Sequence, residues 1–262
     1  MATLKLTVLG SGTSMGVPSI GCQCRVCRSP DPFDQRLRPS VLLQFANRNV
    51  VIDTSPDFRQ QVLRTGVQRL DALVFTHGHA DHILGLDDIR PFNLKQKSEI
   101  PVYAASETLA TLRRTFAYIF DGCPSMSSLP GVRLNIIEGP LQLFGLTITP
   151  IPAEHGDMGV LGFRFGRAAY LTDFSSVPKS SMALLGGLDD FILDALRYEP
   201  HPMHSNVKQS LALLAEVKPK RAWFTHICHD LPHAETNAAL AGRCPGTIVQ
   251  LAYDGLSFEV QV

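Results

Sequence analysis

Apolar positions recur along the chain in short runs, most of which have the length of one β-strand. The runs lie at residues 4–10, 40–45, 49–53, 72–76, 100–104, 146–152, 161–165, 168–173, 191–195, 221–225 and 246–253. Stretches with helical spacing lie between several of them, at 57–65, 87–96, 106–115 and 206–217. Strands interleaved with helices predict a layered α/β fold. Because no linker, low-complexity tract or internal repeat interrupts the pattern, we predict one domain over residues 1–262.

Ligand-type side chains stand where four of the strand-like runs end. The runs that end near residues 76, 152, 173 and 225 lead to His77, His155, Asp173 and His226. The ends of neighbouring strands lie at one edge of a sheet, where loops carry functional residues. We therefore expect these four side chains to meet in space, although they are widely separated along the chain.

The first of these strand ends carries an unusually dense set of ligand-type residues. His77, His79, Asp81 and His82 form the pattern His-x-His-x-Asp-His directly after an apolar run. Alternate side chains of a loop can point the same way, so His77 and His79 can share one metal ion while Asp81 and His82 hold a second. Imidazole nitrogen and carboxylate oxygen are good ligands for Zn²⁺. A further carboxylate such as Asp173 can bridge two ions that lie roughly 3.5–4 Å apart.

A second group of ligand-type residues lies near the N-terminus. Cys22, Cys24 and Cys27 are so close in sequence that they are poorly placed to form disulfides with one another. Thiolates at such short spacing suit a metal ion, so we predict metal binding here. The other three cysteines, which we interpret as buried or incidental thiols, are Cys123, Cys228 and Cys244.

The sequence His-Gly-His-Ala-Asp-His at 77–82, followed by His155, Asp173 and His226, resembles the dinuclear metal site of the metallo-β-lactamase superfamily. The resemblance spans almost the whole chain and implies an α/β fold of the αββα sandwich type. Asp53 matches a strand-end aspartate of that superfamily, which steadies the ligand loop without binding metal itself. The resemblance implies that the ligands of the dinuclear site are His77, His79, Asp81, His82, His155, Asp173 and His226.

A narrower resemblance lies in "GCQCRVC" at 21–27 and "THICH" at 225–229. These segments are similar to those of the phosphodiesterases associated with the bacterial carbon–phosphorus lyase pathway, which hydrolyse phosphoribosyl cyclic phosphate. The similarity implies a general-acid histidine just before a helix, and His204 matches this position better than His201. It also implies one structural zinc ion, bound by Cys22, Cys24, Cys27 and His229.

These matches predict a metal-dependent phosphodiesterase that hydrolyses a small phosphate ester, such as phosphoribosyl 1,2-cyclic phosphate. Two divalent ions, zinc or manganese, would lower the pKa of a bound water and so provide the attacking hydroxide. His204 would protonate the leaving oxygen, and Asp81 is the second residue that we assign to catalysis. Two alternatives of the same fold stay open: an endonuclease of the tRNA 3′-processing type, and a non-catalytic accessory protein of cofactor biosynthesis. The complete ligand set favours an enzyme.

Composition and charge narrow the range of partners. The 24 basic residues balance the 24 acidic ones, so net charge does not favour a nucleic-acid partner. The N-terminus lacks the apolar core of a signal peptide, and no apolar run approaches the length of a membrane span. We therefore expect a cytoplasmic protein with a small-molecule substrate, and a homodimer is compatible with the resemblance. Two further features are interpreted structurally: the glycines of "GSGTSMG" at 10–16 as a tight turn, and His233 as a solvated helix residue.

Overall fold

Fourteen β-strands form the frame of the described chain, which comprises residues 2–122 and 127–262 of a computed structural model. The first seven are β1 (Thr3–Gly10), β2 (Ser40–Phe45), β3 (Arg48–Ile52), β4 (Ala72–Val74), β5 (Ile100–Ala104), β6 (Val132–Ile136) and β7 (Leu141–Leu143). The other seven are β8 (Leu146–His155), β9 (Met158–Phe165), β10 (Ala168–Leu171), β11 (Asp190–Asp194), β12 (Arg221–Thr225), β13 (Ile248–Leu251) and β14 (Ser257–Gln261). Cys123, interpreted above as a buried or incidental thiol, lies outside the described residues.

Eight α-helices and two 3₁₀ helices connect the strands within the described ranges. The α-helices are α1 (Phe58–Thr65), α2 (Ala80–Ile83), α3 (Arg90–Gln96), α4 (Ser106–Thr115), α5 (Ala117–Phe120), α6 (Lys179–Leu185), α7 (Val207–Val217) and α8 (His233–Leu240); the 3₁₀ helices are Pro32–Asp34 and Leu86–Ile89. Helix α7 begins at a capping box: the side chain of Asn206 accepts the backbone N–H of Gln209, and the side chain of Gln209 accepts that of Asn206. This reciprocal pair satisfies two N–H groups and fixes the start of α7 just after His204.

The strands form two seven-stranded sheets, and each sheet has one antiparallel half and one parallel half. The spatial orders are β14-β1-β2-β3-β4-β5-β6 and β13-β12-β11-β10-β9-β8-β7. In the first sheet β14, β1, β2 and β3 pair antiparallel, and β3 to β6 pair parallel. In the second sheet β7 to β10 pair antiparallel, and β10 to β13 pair parallel. Ligands of open α/β sheets bind at the carboxyl ends of parallel strands, so the parallel halves are where a site is expected.

Three apolar layers hold the two sheets and the helices together. The layer between the sheets includes Leu6, Ile52, Phe163, Tyr170 and Trp223. The outer face of the first sheet packs on α1, α3 and α4 through residues such as Phe58, Phe92 and Leu112. The outer face of the second sheet packs on α6, α7 and α8 through residues such as Leu185, Leu214 and Leu240. The order helices, sheet, sheet, helices confirms the predicted αββα sandwich.

Most predicted elements are present, with differences at their ends. The strand-like run at 146–152 continues to His155, so this candidate ligand lies at the end of β8 itself rather than in a following loop. Strands β6, β7 and β14 and helices α2, α5, α6 and α8 were not predicted. Within the described ranges, no helix has the length and apolarity to cross a membrane. The single-domain assignment stays a prediction.

Candidate metal centre

Three strand ends of the candidate site share an unusual backbone conformation. Asp53 directly follows β3, Asp173 lies two residues after β10, and His226 directly follows β12. Their φ angles are 63°, 53° and 55°, in the left-handed region that non-glycine residues rarely adopt. Strained backbone of this kind is concentrated at functional sites. Here each such residue contributes a buried polar side chain to the same centre.

His77, His79 and His155 form the first group of candidate ligands, with one ring nitrogen of each within 4.8 Å of the others. Hydrogen bonds orient the two buried rings. His155 Nδ1 donates to the carbonyl oxygen of Met203 at 2.6 Å, and His77 Nδ1 lies 3.0 Å from Thr76 Oγ1. His77 Nε2 is buried and has no hydrogen-bond partner in the described part of the chain. An unpaired imidazole nitrogen in the interior fits a bound cation.

Asp81, His82, Asp173 and His226 form the second group, again with one ligand atom of each within 4.8 Å of the others. His82 Nε2 lies 3.3 Å from Asp81 Oδ2 and 3.3 Å from Asp173 Oδ1. His226 Nε2 lies 3.3 Å from Asp173 Oδ2. Asp81 Oδ2 and both Nε2 atoms are buried, and no described residue hydrogen-bonds to them. Two imidazoles and two carboxylates that converge without satisfying one another fit a divalent cation.

Asp53 fixes the orientation of His82, a member of the second group, by a hydrogen bond to the ring nitrogen that faces away from Asp81 and Asp173. Its Oδ2 accepts the Nδ1–H of His82 at 2.7 Å, and its carboxylate also accepts the backbone N–H and the hydroxyl of Thr76, both at 2.8 Å. The Nδ1 bond leaves the Nε2 lone pair of His82 directed at Asp81 and Asp173. A carboxylate behind a ligand histidine sets its tautomer and orientation, which is the role implied for Asp53 by the superfamily resemblance.

The two groups differ in the protonation that their surroundings favour. Burial and the nearby His82 lower the pKa of His77 well below its usual value, and burial lowers the pKa of His155 to about 4. Burial also opposes charge on His82 and His226, but the carboxylate of Asp173 outweighs it. The pKa of His82 is therefore raised well above its usual value, and that of His226 is raised to about 9. The first group offers neutral imidazoles, whereas the second group must release protons when a cation binds.

Asp173 belongs to the second group and also lies close to the first. Its Oδ2 is 4.0 Å from the Nε2 atom of His77 in the first group and 3.3 Å from that of His226 in the second. Full burial opposes the negative charge of this carboxylate. The positive charge on His226 and His82 outweighs this effect and holds the pKa of Asp173 well below its usual range. An ionised carboxylate at this position suits a ligand shared by two cations.

His204 lies beside both groups and is held by a buried carboxylate. Its Nδ1 donates to Asp194 Oδ2 at 2.8 Å. The centroid of its ring lies 4.6 Å from that of His155 and 4.7 Å from that of His226. The ring of His201 is 5.1 Å from that of His204, and its Nδ1 accepts a backbone N–H instead of contacting a carboxylate. Of the two histidines, His204 is the one that contacts a buried carboxylate and also lies beside candidate ligands of both groups.

Asp194 is a candidate functional residue that the sequence analysis missed. It is the last residue of β11, it is fully buried, and burial raises its pKa. Besides the bond to His204, it lies close enough to His226 to form a further ligand-type group with these two histidines. The apolar run at 191–195 extends one residue beyond Asp194, whereas the strand itself ends at Asp194, so the sequence pattern did not mark this aspartate as a strand end.

A separate cluster brings together the three N-terminal cysteines and one histidine. Cys27 Sγ lies 3.4 Å from His229 Nδ1. Backbone N–H groups donate to the sulfur atoms: that of Cys27 to Cys24 Sγ and that of Ser19 to Cys27 Sγ, each at 3.4 Å. The first of these bonds lowers the pKa of Cys24, while burial raises the pKa of Cys27 to about 11. Four donors without an open position fit a structural zinc ion; the cluster, within 4.8 Å, is Cys22, Cys24, Cys27 and His229.

One structural interpretation is wrong. His233 is not a solvated helix residue: it begins α8 and is 8% exposed. Its backbone N–H donates to Asp34 at 2.8 Å, and its ring stacks on Phe33 at 4.9 Å. The start of α8 packs on the 3₁₀ helix at 32–34, and no local sequence pattern indicates this contact. By contrast, Cys244 is a buried thiol as expected, and burial raises the pKa of Cys228 to about 12.

One family model matches this chain, and one curated relative that is about twice as long matches nearly all of it. A family model described as "Beta-lactamase superfamily domain" matches residues 48–227. A protein of Porphyromonas gingivalis (strain ATCC BAA-308 / W83) named octanoyltransferase is 35% identical over 258 residues, which cover 97% of this chain and 51% of that protein. This chain thus spans about half the length of the curated relatives it matches.

Two solved structures show how far the similarity in three dimensions extends. A crystal structure described as a new diphosphatase from the PhnP family is 50% identical, with a TM-score of 0.91, and the match covers 98% of this chain and 97% of that one. Zn²⁺-bound PqqB from Methylobacterium extorquens is 20% identical with a TM-score of 0.79, over 98% of this chain and 100% of that one, and it supports the fold alone. Because the family model covers well over half of the residues, the chain belongs to the β-lactamase superfamily.

Proposed function

We propose that the chain is a metal-dependent phosphodiesterase that hydrolyses a small phosphate ester, with phosphoribosyl 1,2-cyclic phosphate as the expected type. The observation that carries this proposal is the Asp194–His204 pair, because it lies against both groups of candidate metal ligands. A phosphodiester needs a cationic centre for its non-bridging oxygens and a proton for its leaving oxygen. The residues gathered here supply binding positions for the first and a donor for the second.

The two groups would hold two divalent ions, with Asp173 close to both. Zinc and manganese each suit a mixed set of imidazoles and carboxylates. When bound, such ions would supply an acidified water and the positive charge that stabilises the transition state. The unpaired, buried Nε2 atoms of three of the histidines support this assignment. The proposed ligands are His77, His79 and His155 for one ion and Asp81, His82 and His226 for the other.

His204 would supply the proton that the leaving oxygen needs. Its Nδ1–H is donated to Asp194, which leaves Nε2 as the nitrogen that can transfer a proton. The carboxylate of Asp194 would stabilise the positive charge of the ring before the transfer. An alkoxide is a poor leaving group without this proton, whereas p-nitrophenolate leaves readily. The contribution of His204 should therefore depend on the leaving group.

Asp81 and the cysteine cluster would have supporting roles. Burial opposes charge on Asp81, but His82 and His226 outweigh it and lower the pKa of Asp81. We assign Asp81 to catalysis as an ionised ligand that keeps a negative charge at the second ion. The four donors of the cysteine cluster would bind a structural zinc ion. His229 and His226 lie three residues apart, so this zinc ion would restrain the segment that carries a catalytic ligand.

The test is a substrate panel with metal-reconstituted protein. The panel contains bis-p-nitrophenyl phosphate, phosphoribosyl 1,2-cyclic phosphate, 2′,3′-cyclic nucleotides, a nucleoside diphosphate ester and a precursor tRNA. We expect metal-dependent hydrolysis of the small diesters. His204→Ala should keep its metal content and lose activity on the alkyl-leaving-group esters, while bis-p-nitrophenyl phosphate is still cleaved. Cleavage of the tRNA alone would favour the endonuclease alternative, and no hydrolysis at full metal content would favour the accessory protein.

A further inference from the structure

A cavity of about 600 Å³ opens beside His79, one of the candidate ligands of the first group. One wall is the face of α4 that carries Glu107, Thr108, Thr111 and Arg114. Another wall is the hairpin of β8 and β9, with the apolar residues Pro152, Met158, Val160 and Leu161. Pockets of this volume hold small organic ligands. The proposed reaction centre accounts for the phosphoryl group of a substrate, and this cavity offers space for the rest of it.

Both walls are tied to the loop that carries the candidate ligands. The backbone N–H of Leu161 in β9 donates to the carbonyl oxygen of Thr76 at 3.0 Å. On the other side, a Cβ atom at Gly78 would lie 3.1–3.2 Å from the side chain of Thr111 in α4. Helix α4 therefore packs so closely on the loop that glycine fits best at residue 78. The cavity is thus held in a fixed position relative to His79.

The chemistry of the walls suits a sugar that carries an additional charge. The hairpin offers an apolar surface, and Thr108 and Thr111 offer hydroxyl groups. Arg114 is exposed at the cavity and pairs with no carboxylate in the described part of the chain. Glu107 lies seven residues earlier, about 10 Å away along the helix axis. The helix wall thus has a carboxylate that can accept sugar hydroxyls near one end and an unpaired guanidinium near the other, and guanidinium groups bind phosphate in a bidentate manner.

We propose that this cavity binds the pentose of the substrate and that Arg114 binds a second phosphate on that pentose. Arg114 is then a specificity-determining residue that selects phosphorylated pentose esters over unphosphorylated ones. This inference rests on the proposed function, because the pentose reaches the cavity while its cyclic phosphate lies at the metal centre. The apolar hairpin wall packs against the sugar ring, and the polar helix wall contacts its hydroxyls.

The test compares two substrates that differ only in the distal phosphate, phosphoribosyl 1,2-cyclic phosphate and ribosyl 1,2-cyclic phosphate. Arg114→Gln should raise KM for the phosphorylated substrate by about tenfold, the size expected for losing an exposed charge-assisted contact. Its kcat on that substrate and both constants on the unphosphorylated one should change little. Arg113→Gln is the matched control, because Arg113 lies on the same helix with its guanidinium over the ring of Phe120 at 5.3 Å and does not line the cavity.

Equal effects of the Arg114 and Arg113 variants, or equal effects of Arg114→Gln on both substrates, would overturn the proposal. If the unmodified protein hydrolyses neither substrate, the proposed function fails, and binding is measured instead. Isothermal titration with intact phosphoribosyl 1,2-cyclic phosphate should then show weaker binding by Arg114→Gln and unchanged binding by Arg113→Gln. Equal affinities of the two variants in that titration would remove Arg114 from phosphate recognition.

Discussion

Replacement of Asp194 by asparagine tests whether His204 is the proton donor, because Asp194 accepts the hydrogen bond of the His204 ring. The carboxylate of Asp194 is fully buried and accepts the Nδ1–H of His204 at 2.8 Å. Asparagine has nearly the same shape but no charge, so it would stabilise the protonated ring less. A hydrogen bond that involves a charged group contributes about 1.5–3 kcal/mol, and each 1.4 kcal/mol changes a rate by a factor of ten. We therefore expect kcat on a cyclic ribose phosphate to fall by about ten- to hundredfold.

The assay separates this effect from general damage to the site. Hydrolysis of bis-p-nitrophenyl phosphate should change little in Asp194→Asn, because its leaving group needs no proton. Metal content is measured in parallel, since Asp194 also lies close to His226. In a double-mutant cycle, Asp194→Asn should have no further effect in a His204→Ala background, as expected for residues that act as one unit. His201→Ala, which changes a neighbouring imidazole without a carboxylate partner, is the matched control.

The reasoning is refuted if Asp194→Asn slows both leaving groups equally with its metal content unchanged. It is also refuted if the effects of the two substitutions simply add in the double variant, because Asp194 would then act independently of His204. A loss of activity in His201→Ala as large as that in His204→Ala would transfer the acid role to His201. Each result is read from the ratio of the two substrates, which a uniform loss of folded protein does not change.

Three further predictions concern zinc, stability and pH. Cys24→Ser should lower the zinc content by about one ion per chain and Cys228→Ser should not, as measured by elemental analysis. Arg36→Met should lower the free energy of unfolding by about 3 kcal/mol in denaturant titrations, because Arg36 is buried and pairs with Asp34. In metal-free protein, the pKa of His226 is raised to about 9, so its protonated form stabilises the fold. This contribution to the free energy of unfolding, about 3 kcal/mol, is fully present below pH 6.5 and is lost as the pH rises through 9. A metal-free protein whose thermal stability increases from pH 6.5 to 9 would contradict this sign.

Local sequence patterns predicted most of the candidate site because its ligands stand in two local contexts. One is the His-x-His-x-Asp-His motif, and the other is the end of an apolar run, as at Asp173 and His226. Strand ends that lie side by side in a parallel sheet bring such residues together whatever their separation along the chain. Asp194 has the same context but lies within a run of five positions, where a single acidic residue gives no separate signal.

The remaining errors concern packing that local patterns do not encode. Strand β6 was missed because each of its residues is half-buried or exposed and it lacks the fully apolar run of the central strands. Helix α8 was missed because it lacks an apolar stripe, and His233 was misassigned because its burial depends on the distant 3₁₀ helix at 32–34. The left-handed φ of Asp53 could not be predicted either, because aspartate adopts this conformation more often than most residues but still only in a minority of cases.

The N-terminal segment contacts the residues next to His226, a candidate metal ligand, although this segment lies before the residues matched by the family model, 48–227. The N–H of Ile227, next to His226, donates to the Ser11 carbonyl, and Gly12 forms a bridge with the same residue. A Cβ atom at Gly12 would lie 2.9 Å from atoms of Arg36, so the glycine is required by close packing and not only by the predicted turn.

Arg36 completes this arrangement on the other side of Gly12. Its guanidinium donates to the carbonyl oxygens of Cys228 at 2.8 Å and Leu231 at 2.6 Å, directly beyond the ligand segment. The cysteine cluster holds the same segment at His229. Backbone pairing with residues 11 and 12, the buried guanidinium of Arg36 and the proposed zinc ion thus restrain the segment 226–231 from different directions. His226 itself has a left-handed φ of 55°, a conformation that persists only where the surrounding structure restrains it, so Ser11, Gly12 and Arg36 help to hold this candidate ligand in place.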